Sequence, residues 1–125
     1  MPNFPPNARL LKPAQFTRVF RTAKIKISSG PLRIFVIPNT LCAPRMGLAV
    51  PKRNINLAVQ RNRAKRVIRE QFRLAQTSLP GIDIVVLVGQ PRDADVFSNK
   101  FSEHAQRAFV KLKQRMQDMQ ETNTQ

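Results

Sequence analysis

The spacing of hydrophobic positions changes several times along the chain, and each change predicts an element. Phe16, Val19 and Phe20 recur at i, i+3 and i+4 behind Pro13, a residue suited to the first turn of a helix, so a short helix is predicted over 13–22. The period then falls to two. Lys24-Ile25-Lys26-Ile27-Ser28 reads as a strand stopped by Ser29-Gly30-Pro31, and Leu32-Arg33-Ile34-Phe35-Val36-Ile37 as a second, ended by Pro38-Asn39. After a loop through Cys42 and Pro44, Met46-Gly47-Leu48-Ala49-Val50 reads as a third strand, closed by Pro51. Helical spacing returns from about Leu57 to Ala75, with Asn56 as the predicted N-cap and Pro80-Gly81 beyond the end. Ile82-Asp83-Ile84-Val85-Val86-Leu87-Val88 is the most apolar strand and is predicted to be central. From about Ser98 to Met119 a last amphipathic helix aligns Phe101, Ala105, Ala108, Phe109, Leu112 and Met116 on one stripe.

The order α-β-β-β-α-β-α predicts an α+β fold, a two-layer sandwich built on a four-stranded sheet. A chain of 125 residues fits a single domain over 1–125, with a Pro-rich extended lead-in over 1–8 and a polar tail over 120–125 that is expected to fray.

Composition narrows the class. A hydrophobic content of 42% supports a real core and argues against wholesale disorder. No apolar run approaches the roughly 20 residues that span a bilayer. The start Met1-Pro2-Asn3-Phe4-Pro5-Pro6 lacks the pattern of a signal peptide. The lone Cys42 can form neither an internal disulfide nor a zinc site. These features predict a cytoplasmic protein without a membrane partner.

Charge changes the picture most. Residues 1–69 carry 15 basic side chains and no acid, the first acid being Glu70, whereas residues 70–125 carry 7 bases and 7 acids. A field this one-sided opposes compaction and calls for a polyanionic partner, of which nucleic acid is the usual one. Placing residues 58–75 on a wheel at about 100° per residue puts Ala64, Val67, Ile68, Phe72 and Ala75 on one side. Asn62, Lys65, Arg66, Arg69 and Arg73 fall on the other, with Arg61 and Arg63 at the edges and Glu70 off the basic centre. Such a helix presents guanidinium groups whose planar forks suit phosphate, near an N-terminus whose free N–H groups favour anions. Lys52 and Arg53, just ahead of it, could fold onto the same patch. A merely solvated face would mix both signs of charge, and this one has almost no acids.

Helix-turn-helix, zinc-finger and RRM patterns are absent. The stretch Ala58-Val59-Gln60-Arg61-Asn62-Arg63-Ala64-Lys65-Arg66-Val67-Ile68-Arg69 closely resembles the signature of the bacterial ribonuclease P protein subunit. That signature is Ala, two residues, Arg-Asn-Arg, an aliphatic residue, Lys-Arg, and two residues to a further base. Gly47-Leu48-Ala49-Val50-Pro51-Lys52-Arg53 is similar to the family's third strand end, and Gly81-Ile82-Asp83-Ile84-Val85-Val86 to its penultimate strand. The likeness covers about residues 9–115. Ala64 stands where a larger aliphatic residue is commoner, and Pro51 where Ser or Ala is.

The resemblance implies a left-handed β-α-β crossover, which the usual handedness rule would not suggest. It implies a noncatalytic protein component of an endoribonuclease whose catalyst is RNA. That RNA hydrolyses a phosphodiester of precursor tRNA to free the mature 5′ end, with Mg²⁺ held mainly by the RNA and none by protein side chains. The implied partners are the catalytic RNA, gripped by Lys52, Arg53, Arg61, Asn62, Arg63, Lys65, Arg66, Arg69 and Arg73, and precursor tRNA; no obligate protein partner is implied. The 5′ leader is expected in a cleft around Phe16, Phe20 and Phe35, with Arg9, Lys12, Arg18 and Arg33 near its phosphates.

The residues alone leave this second surface open. Phe16 and Phe20 at i, i+4 are equally what a core-facing helix needs, whereas Phe35 alternates with Ile34 and Val36 and so shares the opposite sheet face with Arg33. His104 has no evident catalytic partner and reads as structural or solvated. Two other readings stand beside the family's: a ribosomal-protein-like binder of folded RNA, and a metal-dependent nuclease using Asp83, Asp93 or Asp95.

Overall fold

The computed structural model describes residues 13–41, 43–89 and 99–123, with side chains described as far as Met119. Its elements are α1 (Pro13–Thr22), β1 (Ile25–Ser29), β2 (Leu32–Pro38), β3 (Arg45–Ala49), α2 (Ala58–Ala75), a single 3-10 turn (Gln76–Ser78), β4 (Ile82–Val88) and α3 (Asn99–Asn123). The expected order is observed, and three boundaries differ in instructive ways. Asn56 does not cap α2: Leu57 occupies the N-cap in extended conformation, with no side-chain cap. The Asn56 carbonyl is instead taken by the Arg61 guanidinium. β3 begins at Arg45, because Arg45 pairs alongside Asp83. α3 runs on to Asn123, past the last apolar position of its stripe, since no Gly or Pro follows to stop it.

The sheet order is β1-β2-β4-β3. β1 and β2 form an antiparallel hairpin, β2 and β4 are antiparallel, and β3 and β4 are parallel neighbours joined through α2. β4 therefore lies inside the sheet, as its composition predicts. On one face Ile34, Val36, Met46, Ile84, Val86 and Val88 pack against the apolar stripes of α2 and α3. The α2 stripe is the one the wheel predicts: Ala64, Val67, Ile68, Phe72 and Ala75 are all buried. Ala64 is fully enclosed, so the small residue leaves no exposed gap at its own position. This is the two-layer body. On the opposite face α1 adds local cover, seating Val19 on Ile37 and Val85.

α3 is latched to the β1–β2 turn. Gly30 takes φ +56°, and a Cβ there would lie 2.6 Å from the His104 ring. Ser29 Oγ and His104 Nδ1 are 3.4 Å apart, and Lys111 Nζ donates to the Ser28 carbonyl at 2.9 Å. His104 is thus a packing residue of this corner. Gly30→Ala combines an unfavourable left-handed backbone with a steric clash. It is expected to cost more than about 1 kcal/mol in urea unfolding, without loss of helical circular dichroism at low urea.

Candidate nucleic-acid interface

With its apolar stripe fixed to the sheet, α2 turns its other side to solvent. Asn62, Arg66 and Arg69 are exposed, and Lys65 and Arg73 are half-buried. Asn62, Arg66, Arg69, Glu70 and Arg73 line an open groove of about 430 Å³. Glu70, expected away from the basic centre, is part of that wall. Arg73 Nε donates to Glu70 Oε2 at 3.0 Å, and Arg73 Nη2 bonds Glu70 Oε1. The paired hydrogen bonds hold the Glu70 carboxyl below its ordinary pKa and raise that of Arg73, so both stay charged at neutral pH.

Two residues of the central motif are partly committed to the fold. Arg61 Nη1 donates to the carbonyls of Ile55 and Asn56 at 3.0 and 2.9 Å, fastening the loop that enters α2. Arg63 is half-buried and its Nε lies inside the protein. Lys52 and Arg53 are exposed on a turn in which the amides of Asn54 and Ile55 both donate to the Pro51 carbonyl. Asn54 Nδ2 ties that turn to the Val88 carbonyl at 2.9 Å, and Ile55 anchors it in the core. The turn sets Lys52 and Arg53 ahead of the helix; they are not among the groove's lining residues.

The second surface lies on the face that α1 only partly covers. Strand register places Lys26, Phe35 and Val85 in one row across β1, β2 and β4, with Ser28, Arg33 and Leu87 in the next. Phe20, on α1, meets Phe35 edge-on, with ring centroids 5.0 Å apart and planes at 75°. Lys26 Nζ lies 5.7 Å from the Phe35 centroid. Phe20 remains 37% exposed, while Phe16 and Phe35 are both half-buried and pack against the Val19–Ile37–Val85 cluster. The helix therefore serves both readings: Val19 anchors it, and Phe20 stays at the surface. Arg18 and Arg33 are exposed nearby. Arg9 and Lys12 fall outside the described residues. Lys26 escaped the sequence reading, although the short hairpin between residues 28 and 33 would have placed it opposite Phe35.

Of the acids suggested for a nuclease, Asp83 is the one that falls among the described residues, and it is committed to the fold. The Asp83 side chain is 6% exposed and is held by Arg45 through Nε (2.9 Å) and Nη2 (2.7 Å). It also accepts from Asn39 Nδ2 at 2.8 Å. Asp93, Asp95 and Cys42 lie outside the described residues, and among the described residues no three His, Cys, Asp or Glu side chains group as metal ligands.

A comparison with protein families matches the ribonuclease P family over residues 4–117. This chain belongs to that family. The ribonuclease P protein of Staphylococcus aureus superimposes with a TM-score of 0.69 at 26% identity, covering 82% of this chain and 89% of that one. A mutant of that protein with defective mRNA degradation activity has a TM-score of 0.74 at 24% identity, over 86% and 89%. The Thermotoga maritima protein gives 0.58 at 27%, over 89% and 93%. The family is thus supported across most of the chain, and no helix among the described residues is long and apolar enough to cross a membrane.

Because Asp83 is buried against Arg45 and Asn39, its loss leaves their donors unpaired, although Arg45 is a quarter exposed and can rehydrate. Asp83→Ala is expected to lower stability by about 1–3 kcal/mol, measured by the shift of the urea midpoint.

Proposed function

We propose that this chain is the noncatalytic protein subunit of ribonuclease P, binding the catalytic RNA through α2 and the 5′ leader of precursor tRNA through the α1–sheet surface. The observation that carries the reading is the oriented helix: a motif matching the family's, its apolar side locked to the sheet and its guanidinium side lining an open groove. Arg66 and Arg69 suit phosphates of a folded RNA, and Asn62 adds a neutral hydrogen-bonding group. Phe20 and Phe35, with Lys26, Arg18 and Arg33 around them, suit a single strand whose bases stack while its phosphates meet cations. Hydrolysis is assigned to the RNA. Mg²⁺ bound there would supply charge stabilisation and an activated water, while the protein's part is to screen phosphate repulsion and position the leader.

Reconstitution tests this directly. The purified protein alone is expected to leave precursor tRNA intact, and adding the catalytic RNA is expected to give 5′-end cleavage at lower Mg²⁺ than the RNA needs by itself. Cleavage by the bare protein would overturn the assignment of catalysis, and cross-linking mainly to ribosomal RNA would favour the structural-binder reading.

The two surfaces separate by mutation. Arg66→Ala should weaken binding to the catalytic RNA and flatten the plot of log K against log salt by about 0.7–0.9. Phe20→Ala should weaken binding of leader-bearing precursor by about 1–3 kcal/mol and leave the affinity for leaderless tRNA unchanged. Filter binding with the catalytic RNA reads the first effect, and with leader-bearing and leaderless tRNA the second.

A further inference from the structure

Glu70 is chemically at odds with the groove it lines. It is the first acid of the chain, following 15 basic residues, and it stands with Asn62, Arg66, Arg69 and Arg73. A carboxylate there lowers the positive potential where phosphates are to bind. Its i, i+3 pairing with Arg73 lies at the helix surface, where screening by water leaves such a pair little net effect, so stability alone does not account for a repulsive charge in an anion site. Its remaining capacity points elsewhere. Each carboxylate oxygen accepts one bond from Arg73, and the side chain is still 51% exposed. A carboxylate has about four lone-pair positions, so acceptors remain free toward the groove.

A phosphodiester has no proton to donate at neutral pH. The donor that an RNA backbone offers next to each phosphate is the ribose 2′-hydroxyl, and this group also distinguishes RNA from DNA. Guanidinium groups flanking a carboxylate therefore match a phosphate flanking a 2′-hydroxyl. We infer that Glu70 accepts a hydrogen bond from a ribose 2′-hydroxyl of the RNA seated in the groove, with Arg66 and Arg69 on neighbouring phosphates. Glu70 is then the residue that makes this ridge select RNA over other polyanions. The inference rests on the assignment of α2 to RNA binding. Arg73 acts as a positioning residue, holding the carboxylate in place by its two-pronged grip.

The test uses the full chain and three duplex probes of one sequence: RNA, 2′-fluoro RNA and DNA. The 2′-fluoro duplex keeps A-form geometry, bases and phosphates and removes only the donor. The wild-type protein is expected to bind RNA about tenfold more tightly than 2′-fluoro RNA, the scale of a hydrogen bond to a charged group. Glu70→Ala should bind the two equally. It should also bind 2′-fluoro RNA and DNA at least as tightly as wild type, with a steeper salt dependence, because Arg73 is released to a phosphate. Glu70→Gln, which keeps an acceptor oxygen, should fall between them. Equal wild-type binding of RNA and 2′-fluoro RNA overturns the proposal and leaves any Glu70 effect to a base amine or to the helix. An equal weakening of all probes by Glu70→Ala, or a drop in its thermal midpoint that accounts for the change, overturns it in favour of a purely structural pair. Arg66→Ala serves as the control. If it leaves all three probes unaffected, the assignment of α2 itself fails. If it weakens all three while Glu70→Ala spares the RNA preference, only the role of Glu70 fails.

Discussion

β4 is hydrogen-bonded to β2 on one side and β3 on the other, and its residues from Ile82 to Val86 and Val88 are buried. Such a strand leaves no face free for water, so helices must cover the sheet on both sides. Ile84, Val86 and Val88 require the stripes of α2 and α3, and Val85 requires Val19 of α1. The orientation of α2 follows. Once Ile68 and Phe72 are buried against the core, Asn62, Arg66 and Arg69 fall on the exposed side of the helix. The basic groove is thus a consequence of how the sheet is covered.

The same constraint organises the charges. A chain with net charge +15 repels itself, and the described structure shows where individual bases are committed. Arg45 is matched to the buried Asp83, Arg61 is bonded to loop carbonyls, Arg73 is held by Glu70, and Lys111 is bonded to the Ser28 carbonyl. Counting bases therefore overstates the binding surface. Arg45 contributes to the acid-free character of the first 69 residues, yet its guanidinium is spent on the packing of β3 against β4. Arg66, by contrast, is exposed on the groove wall.

Much of the fold was legible because its elements are locally encoded. The period of Val67, Ile68 and Phe72 specifies a helix and its buried side together, and the run from Ile82 to Val88 announces a strand buried on both faces. The helix start was misplaced by one residue because a side chain five positions ahead, Arg61, takes the Asn56 carbonyl, and N-cap preference carries no information about that competition. Glu70 was placed off the ridge because a wheel records the direction of Cα–Cβ bonds. The groove wall depends on how far the Glu70 side chain bends toward Arg73. His104 had no role that pattern could assign, since its partner is the turn at Gly30, reached only when α3 folds back over β1.

By itself the sequence determined the element order, the buried stripes of α2 and α3, and the presence of a basic helix bearing the family's motif, because helix and strand periods are properties of neighbouring residues. Only the tertiary structure decided which bases line the groove and which serve the fold. It also brought Phe20 of α1, Phe35 of β2 and Lys26 of β1 to one surface, and packed both Phe16 and Phe35 against the Val19 cluster. Those outcomes depend on strand register and on the face of the sheet that α1 covers. Both are set by contacts between residues distant in the chain, where a shift of one position would turn every side chain to the other face.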